Sequence, residues 1–101
     1  SVELWQILPK EGFALKKILC RELKAYMRSV LLKHRAALGI SQEEMAHRLL
    51  MSTRAYSALE SGRSCCSFIT AALFLSRCCL DRGTFLDGLL AIFEVSEAEA
   101  V

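Results

Sequence analysis

The sequence predicts an all-α, compact helical domain, and three observations lead to that prediction. Leucine and alanine, with 17 and 12 residues, outnumber valine, isoleucine and threonine together by more than two to one. The single proline stands at position 9, so no proline interrupts a helix after it. Hydrophobic residues make up 53% of the 101 residues, which suits one small core and excludes disordered, collagen-like and low-complexity chains.

The first predicted helix is long. Apolar positions recur at steps of three and four, the period of one helix face, which predicts one amphipathic helix or two in series. Gly39 is expected to end this segment in the left-handed conformation. The positions are Leu15, Ile18, Leu19, Leu23, Met27, Val30, Leu31, His34 and Leu38.

Two short helices joined by a tight turn are predicted next. Ser41 and Glu44 fit a capping box, which places a helix start at Ser41. Ser52 offers a second N-cap a few residues later, and Gly62 is expected to stop that helix. The second helix is expected to bury Ala55, Tyr56 and Leu59.

Two further helices complete the chain. Ser67 is expected to cap a helix that runs to Leu80, and Thr84 to cap a last helix that runs to about Val95. The predicted organisation is an N-terminal extension at residues 1–20, one domain at residues 21–95 and a C-terminal tail at residues 96–101.

Charge is unevenly distributed along the chain, although the net charge is only +2. Residues 21–64 carry eight lysines and arginines against four glutamates, whereas residues 65–101 carry two arginines against five acidic residues. A basic middle segment indicates an anionic partner, although this excess alone does not distinguish nucleic acid from an ordinary solvated surface.

The sequence contains neither a membrane-length apolar stretch nor a signal-peptide pattern at its start, so we expect a cytoplasmic protein without membrane contact. The odd number of cysteines indicates reduced thiols rather than an extracellular disulfide framework. The cysteines are Cys20, Cys65, Cys66, Cys78 and Cys79.

The segment from Leu31 to Leu80 resembles the Cro and phage-repressor type of helix-turn-helix domain, also called the xenobiotic-response-element type. The resemblance rests on an ordered set of residues, which are Arg35, Gly39 to Ala46, Leu49, Met51, Ser52, Tyr56, Leu59 to Gly62 and Arg63. It implies a lambda-repressor-like fold of five helices, here with an N-terminal helical extension. The implied function is sequence-specific binding of double-stranded DNA by a transcriptional regulator that needs no cofactor.

The resemblance also implies roles for particular residues. The base-reading positions are Thr53, Arg54, Ser57 and Ala58, among which Arg54 is the strongest candidate because its guanidinium can donate two hydrogen bonds to guanine. The phosphate-binding positions are Ser41, Gln42, Ser52 and Arg63. Arg35 and Glu60 match a buried ion pair with a structural role.

One departure from the family lies in the turn. Leu50 stands where the family favours glycine, and a leucine at positive φ is strained by about 1 to 2 kcal/mol. The sequence therefore predicts that the first helix of the pair extends by a turn, or that the angle between the two helices differs.

Other functions remain open at this point. The same fold could serve as a protein-interaction module, as in an antitoxin-like partner. Cys65, Cys66, Cys78 and Cys79 leave open a thiol-based redox or metal sensor, although small buried residues are the simpler interpretation. The sequence shows no catalytic motif, so we expect no enzyme. Abundant apolar residues on the last two helices favour a homodimer through the final helix, the N-terminal extension or both.

Overall fold

The computed structural model describes the backbone of residues 9–78 and 81–100 and the side chains of residues 12–78 and 81–94. Within these ranges the chain forms five α-helices and no strand, which confirms the all-α prediction. The helices are α1 (Pro9–Leu38), α2 (Gln42–Arg48), α3 (Thr53–Glu60), α4 (Phe68–Arg77) and α5 (Arg82–Ala100).

The first helix, α1, is one continuous helix of 30 residues rather than two helices in series. Residues 9–20 of the expected extension are its first turns, and residues 1–8 lie outside the described part of the chain. Gly39 ends α1 with φ at +64°, as predicted, and its N–H donates to the carbonyl of Arg35 at 2.9 Å.

The core lies where α1 packs against α3 and α5 and where α2 packs against α3. Every described helix contributes at least one buried side chain, so no helix stands outside the packed unit. The buried cluster consists of Met27, Leu31, Met45, Ala46, Leu49, Tyr56, Leu59, Phe74, Cys78 and Phe85.

Serine side chains begin α2, α3 and α4 as predicted. The hydroxyl oxygens of Ser41, Ser52 and Ser67 each accept a backbone N–H three residues further on, at 3.1 to 3.2 Å. The reciprocal half of the capping box is replaced at α2, because the Glu44 carboxylate accepts from Arg48 at 3.2 Å.

The fifth helix begins earlier and ends later than the sequence predicts. Asp81 caps it instead of Thr84, since the Asp81 carboxylate accepts both the backbone N–H of Thr84 at 3.0 Å and the Thr84 hydroxyl at 2.6 Å. The helix continues past Val95 to Ala100. The fourth helix ends at Arg77, and the predicted end at Leu80 falls outside the described residues.

Several apolar residues lie on the surface, among them Leu38, which the sequence assigns to the apolar face of the first helix. Phe68 is 91% exposed, Leu86 and Leu90 on α5 are also exposed, and Ala55 on α3 is exposed rather than buried. None of the helices in the described part of the chain is long and apolar enough to cross a membrane.

Candidate nucleic-acid interface

The turn between α2 and α3 spans only residues 49–52. The prediction of a longer first helix is wrong, because α2 ends at Arg48 and Leu50 itself adopts a φ of +55°. Its side chain is 66% exposed and therefore lies mostly outside the packed core. The bend is closed by backbone hydrogen bonds from Leu50 to the His47 carbonyl at 3.2 Å and from Met51 to the Ala46 carbonyl at 3.0 Å.

The third helix, α3, has one exposed and one buried side. Thr53 and Arg54 are exposed at its amino end, and Ser57 and Ala58 are half-buried further along. The opposite side is anchored in the core by Tyr56, Leu59 and Glu60. The two residues that can reach furthest outward are therefore those of the first turn.

The amino ends of α2 and α3 face the same side of the molecule. Ser41 before α2 and Ser52 and Thr53 at the start of α3 line one open groove of about 640 Å³. The groove therefore adjoins the amino ends of both helices, where unpaired backbone N–H groups favour anionic oxygen atoms. Glu43 and Glu44 line the same groove and bring negative charge to it, and Arg48 pairs with Glu44 at 3.2 Å.

Behind α3 lies a charged cluster that joins three elements. The Arg35 guanidinium donates two hydrogen bonds to the Glu60 carboxylate, at 2.9 and 2.8 Å, and a third to the carbonyl of Ile40 at 3.1 Å. The Gln42 side-chain amide donates to the same carboxylate at 3.1 Å. Because Glu60 is only 4% exposed, this network fixes the carboxyl end of α3 against α1 and the start of α2.

The protonation states in this cluster follow from its contacts. Burial by itself raises the pKa of Glu60, but hydrogen bonds from Arg35, Tyr56 and Gln42 outweigh it and lower the pKa to about 2. The Tyr56 hydroxyl is buried beside the carboxylate, and its pKa is raised, chiefly by burial. Arg35 and Glu60 are therefore both ionised at neutral pH.

The remaining predicted site residue, Arg63, follows the carboxyl end of α3. Gly62 turns the chain there with φ at +80°, and the exposed Arg63 guanidinium donates to the Ser61 hydroxyl at 2.9 Å. Arg63 thus lies at the far end of α3 from Ser52 and Arg54, and the structure does not bring these side chains into one cluster.

The described cysteines lie in different surroundings. The thiol of Cys65 interacts with that of Cys20 on α1, whereas Cys78 is buried in the core and Cys66 packs against the core. Burial, followed by the neighbouring Cys20, raises the pKa of Cys65, and burial raises the pKa of Cys66 to about 11. Cys79 lies outside the described residues, and those that are described contain no cluster of metal-ligating side chains.

A tight turn, a helix that exposes its amino end, and a buried ion pair holding that helix in place define a helix-turn-helix domain. Residues 31–76 match the family model described as helix-turn-helix, and this segment is a helix-turn-helix domain of the Cro/C1 type. The family is one of DNA-binding regulatory domains. No curated protein and no solved structure gives a significant match to the chain.

Two contacts at this site were not predicted from the sequence. The hydrogen bond from Gln42 to Glu60 links residues 18 positions apart, and no local sequence pattern predicts it. The contact between Cys20 and Cys65 also depends on how the segment after Gly62 packs against α1. Both arise from tertiary packing, which residue spacing along the chain does not encode.

Proposed function

We propose that this domain binds double-stranded DNA sequence-specifically and acts as a transcriptional regulator, with α3 reading the major groove. The observation that carries this proposal is the exposure of the amino end of α3 while its other side is fixed in the core by Tyr56 and Leu59. A rigid helix presented in this way fits the major groove, which is about 12 Å wide.

Arg54 has the largest part in the proposed base readout. It is exposed, and its two parallel N–H groups match the N7 and O6 acceptors of guanine. In this proposal Thr53 contacts bases through its methyl and hydroxyl groups. Ser57 and Ala58, which are half-buried, contact only bases that approach the middle of α3, where the Ala58 methyl suits thymine.

The proposed phosphate contacts surround this helix. Ser41 and Ser52 accept helix N–H groups through their oxygens, and their hydroxyl protons remain available to phosphate oxygens. One hydrogen of the Gln42 amide nitrogen is used by Glu60, which leaves the second for a phosphate. Arg63 supplies a charged contact at the far end of α3.

The decisive experiment selects binding sites for the protein from random DNA. Arg54→Ala is expected to weaken binding of the selected duplex by about 1 to 3 kcal/mol and to relax preference at one base position. Gln42→Ala is expected to weaken the binding of all DNA sequences equally. Lys33→Ala, on the side of α1 that faces α5, is the matched control and leaves the selected sequence unchanged.

Two results contradict the proposal. If Arg54→Ala selects the same sequence with the same strength, the base-reading assignment is wrong. If the wild-type protein retains no DNA at low salt, the domain is a protein-interaction module instead.

We further propose that the protein binds DNA as a homodimer. Leu86 and Leu90 lie four residues apart on α5 and are exposed, as is Phe13 near the start of α1. A two-fold dimer suits half-sites about 34 Å apart. Leu90→Glu is expected to convert a dimer to a monomer in sedimentation experiments, and a wild-type protein that is monomeric at high micromolar concentration overturns this proposal.

A further inference from the structure

Four basic side chains form a single row on α1. Lys17, Arg21, Lys24 and Arg28 are spaced four, three and four residues apart, which places them on one side of the helix. All four line one open groove of about 470 Å³. We refer to these four residues as the α1 basic row, and they precede the segment 31–76 that matches the family.

The groove connects the α1 basic row to the end of the proposed recognition helix. Ser61 and Gly62, which follow α3, form part of the groove wall. A Cβ atom on Gly62 would stand 3.5 Å from the Arg28 Cδ atom and 4.0 Å from the Lys24 carbonyl oxygen, so the two segments are in direct contact. Arg63 follows Gly62 in the chain and adds a further basic residue next to this part of the groove wall.

The charges of this row are largely uncompensated. Glu22 accepts from Arg21 at 3.1 Å, but both side chains are exposed and such a pair contributes little. Among the described side chains, Lys17 and Arg28 form no ion pair. Like charges at these spacings destabilise a helix, so the row opposes α1 stability unless an anion binds there.

We propose that the α1 basic row binds the sugar-phosphate backbone of the same DNA duplex, beyond the segment contacted by α2 and α3. This inference rests on the proposed DNA-binding function and extends its footprint. The row spans about 17 Å along α1, comparable to about five successive nucleotides of one strand at 3.4 Å each. The contact is electrostatic, so it adds affinity and salt dependence but no sequence preference.

The experiment compares wild-type protein with Lys17→Gln/Arg21→Gln on a selected duplex and on an unrelated duplex of equal length. Two lost phosphate contacts reduce the salt slope by about 1.8, so between about 50 and 200 mM salt the wild type loses about tenfold more affinity than the variant. The weakening is expected to be equal on both duplexes. The control, Lys33→Gln/Arg82→Gln, removes the same charges elsewhere and is expected to retain the wild-type salt slope.

The outcomes separate this inference from the proposed function. An unchanged salt slope in Lys17→Gln/Arg21→Gln, or an equal change in the control variant, overturns the inference even when Arg54→Ala alters the selected sequence. Binding of the row to an acidic protein instead of DNA gives the same unchanged slope. Wild-type protein that binds no duplex at low salt overturns both proposals. Thermal unfolding of each variant confirms that the exposed substitutions leave the fold intact.

Discussion

The side chains of Arg35 and Glu60 are joined by two parallel hydrogen bonds of 2.9 and 2.8 Å, although the residues are 25 positions apart in the chain. Arg35 lies near the end of α1 and Glu60 at the end of α3. The pair therefore fixes the direction of α3 relative to the longest helix. In the proposed function this pair holds the exposed amino end of α3 in place and makes no DNA contact through Glu60, which is buried.

Replacement of Glu60 is expected to reduce stability strongly. Glu60→Gln removes the negative charge that accepts two hydrogen bonds from Arg35, and we expect a loss of about 1.5 to 3 kcal/mol in the free energy of unfolding by urea. Glu22→Gln removes one partner of an exposed pair and is the matched control, with an expected change within about 1 kcal/mol. Equal losses of unfolding free energy in the two variants would show that the Arg35–Glu60 pair contributes no more to stability than the exposed pair.

The same pair predicts a dependence of stability on pH. The pKa of Glu60 in the folded protein, about 2, lies below its ordinary value of 4.5. The stabilisation is therefore complete above about pH 4.5 and is lost as the pH falls toward 2. The pKa of His34 is lowered, first by burial and second by the nearby charge of Arg48. Protonation of His34 therefore reduces stability below pH 6.5, and it does so equally in the wild type and in Glu60→Gln. The difference between wild type and Glu60→Gln isolates Glu60, and it must shrink in acid.

The left-handed residue in the turn predicts a stabilising substitution. Leu50→Gly is expected to raise the free energy of unfolding by up to about 1 kcal/mol, because glycine adopts a φ of +55° without strain and the leucine side chain is exposed. Leu50→Ala keeps a Cβ atom and is the control, because its free energy of unfolding is not expected to rise in this way. A Leu50→Gly protein less stable than Leu50→Ala would contradict the assignment of strain.

Because α1 and α5 approach each other closely at Gly88, we expect this position not to tolerate a larger residue. A Cβ atom on Gly88 would lie 2.5 Å from the Tyr26 hydroxyl oxygen and 2.9 Å from its Cε1 atom. That hydroxyl donates to the Phe85 carbonyl at 2.7 Å and cannot move without losing the bond. Gly88→Ala is expected to cost about 1 to 3 kcal/mol in thermal unfolding. Gly83→Ala on the same helix meets only an ordinary contact at 3.7 Å and should be tolerated.

The thiols provide a test of the sensor hypothesis. With a pKa of about 11, Cys66 holds far less thiolate at pH 8 than an ordinary cysteine, and we expect its alkylation by iodoacetamide to be at least about tenfold slower than that of glutathione. Mass spectrometry of the labelled peptides measures the rate. Rapid modification of Cys66 would favour the thiol-sensor hypothesis over the buried structural role.

Local signals predicted the short elements well because their physical causes are local. Ser41, Ser52 and Ser67 cap helices through N–H groups three residues away, and Gly39 adopts the positive φ that its position required. Prediction failed at Leu50, where the tight turn tolerated a strained leucine. It also failed at Thr84, because the carboxylate of Asp81 is a stronger cap one turn earlier.

The sequence by itself determined that this chain is helical, where most of its helices begin, and that residues 41–61 form two helices around a tight turn, because helical periodicity and capping act within a few residues. Only the tertiary structure decided that Ala55 is exposed, that Gln42 joins Arg35 on the Glu60 carboxylate, and that the α1 basic row lies beside the end of α3. These relationships join residues far apart in the chain, and their geometry is set by packing among helices.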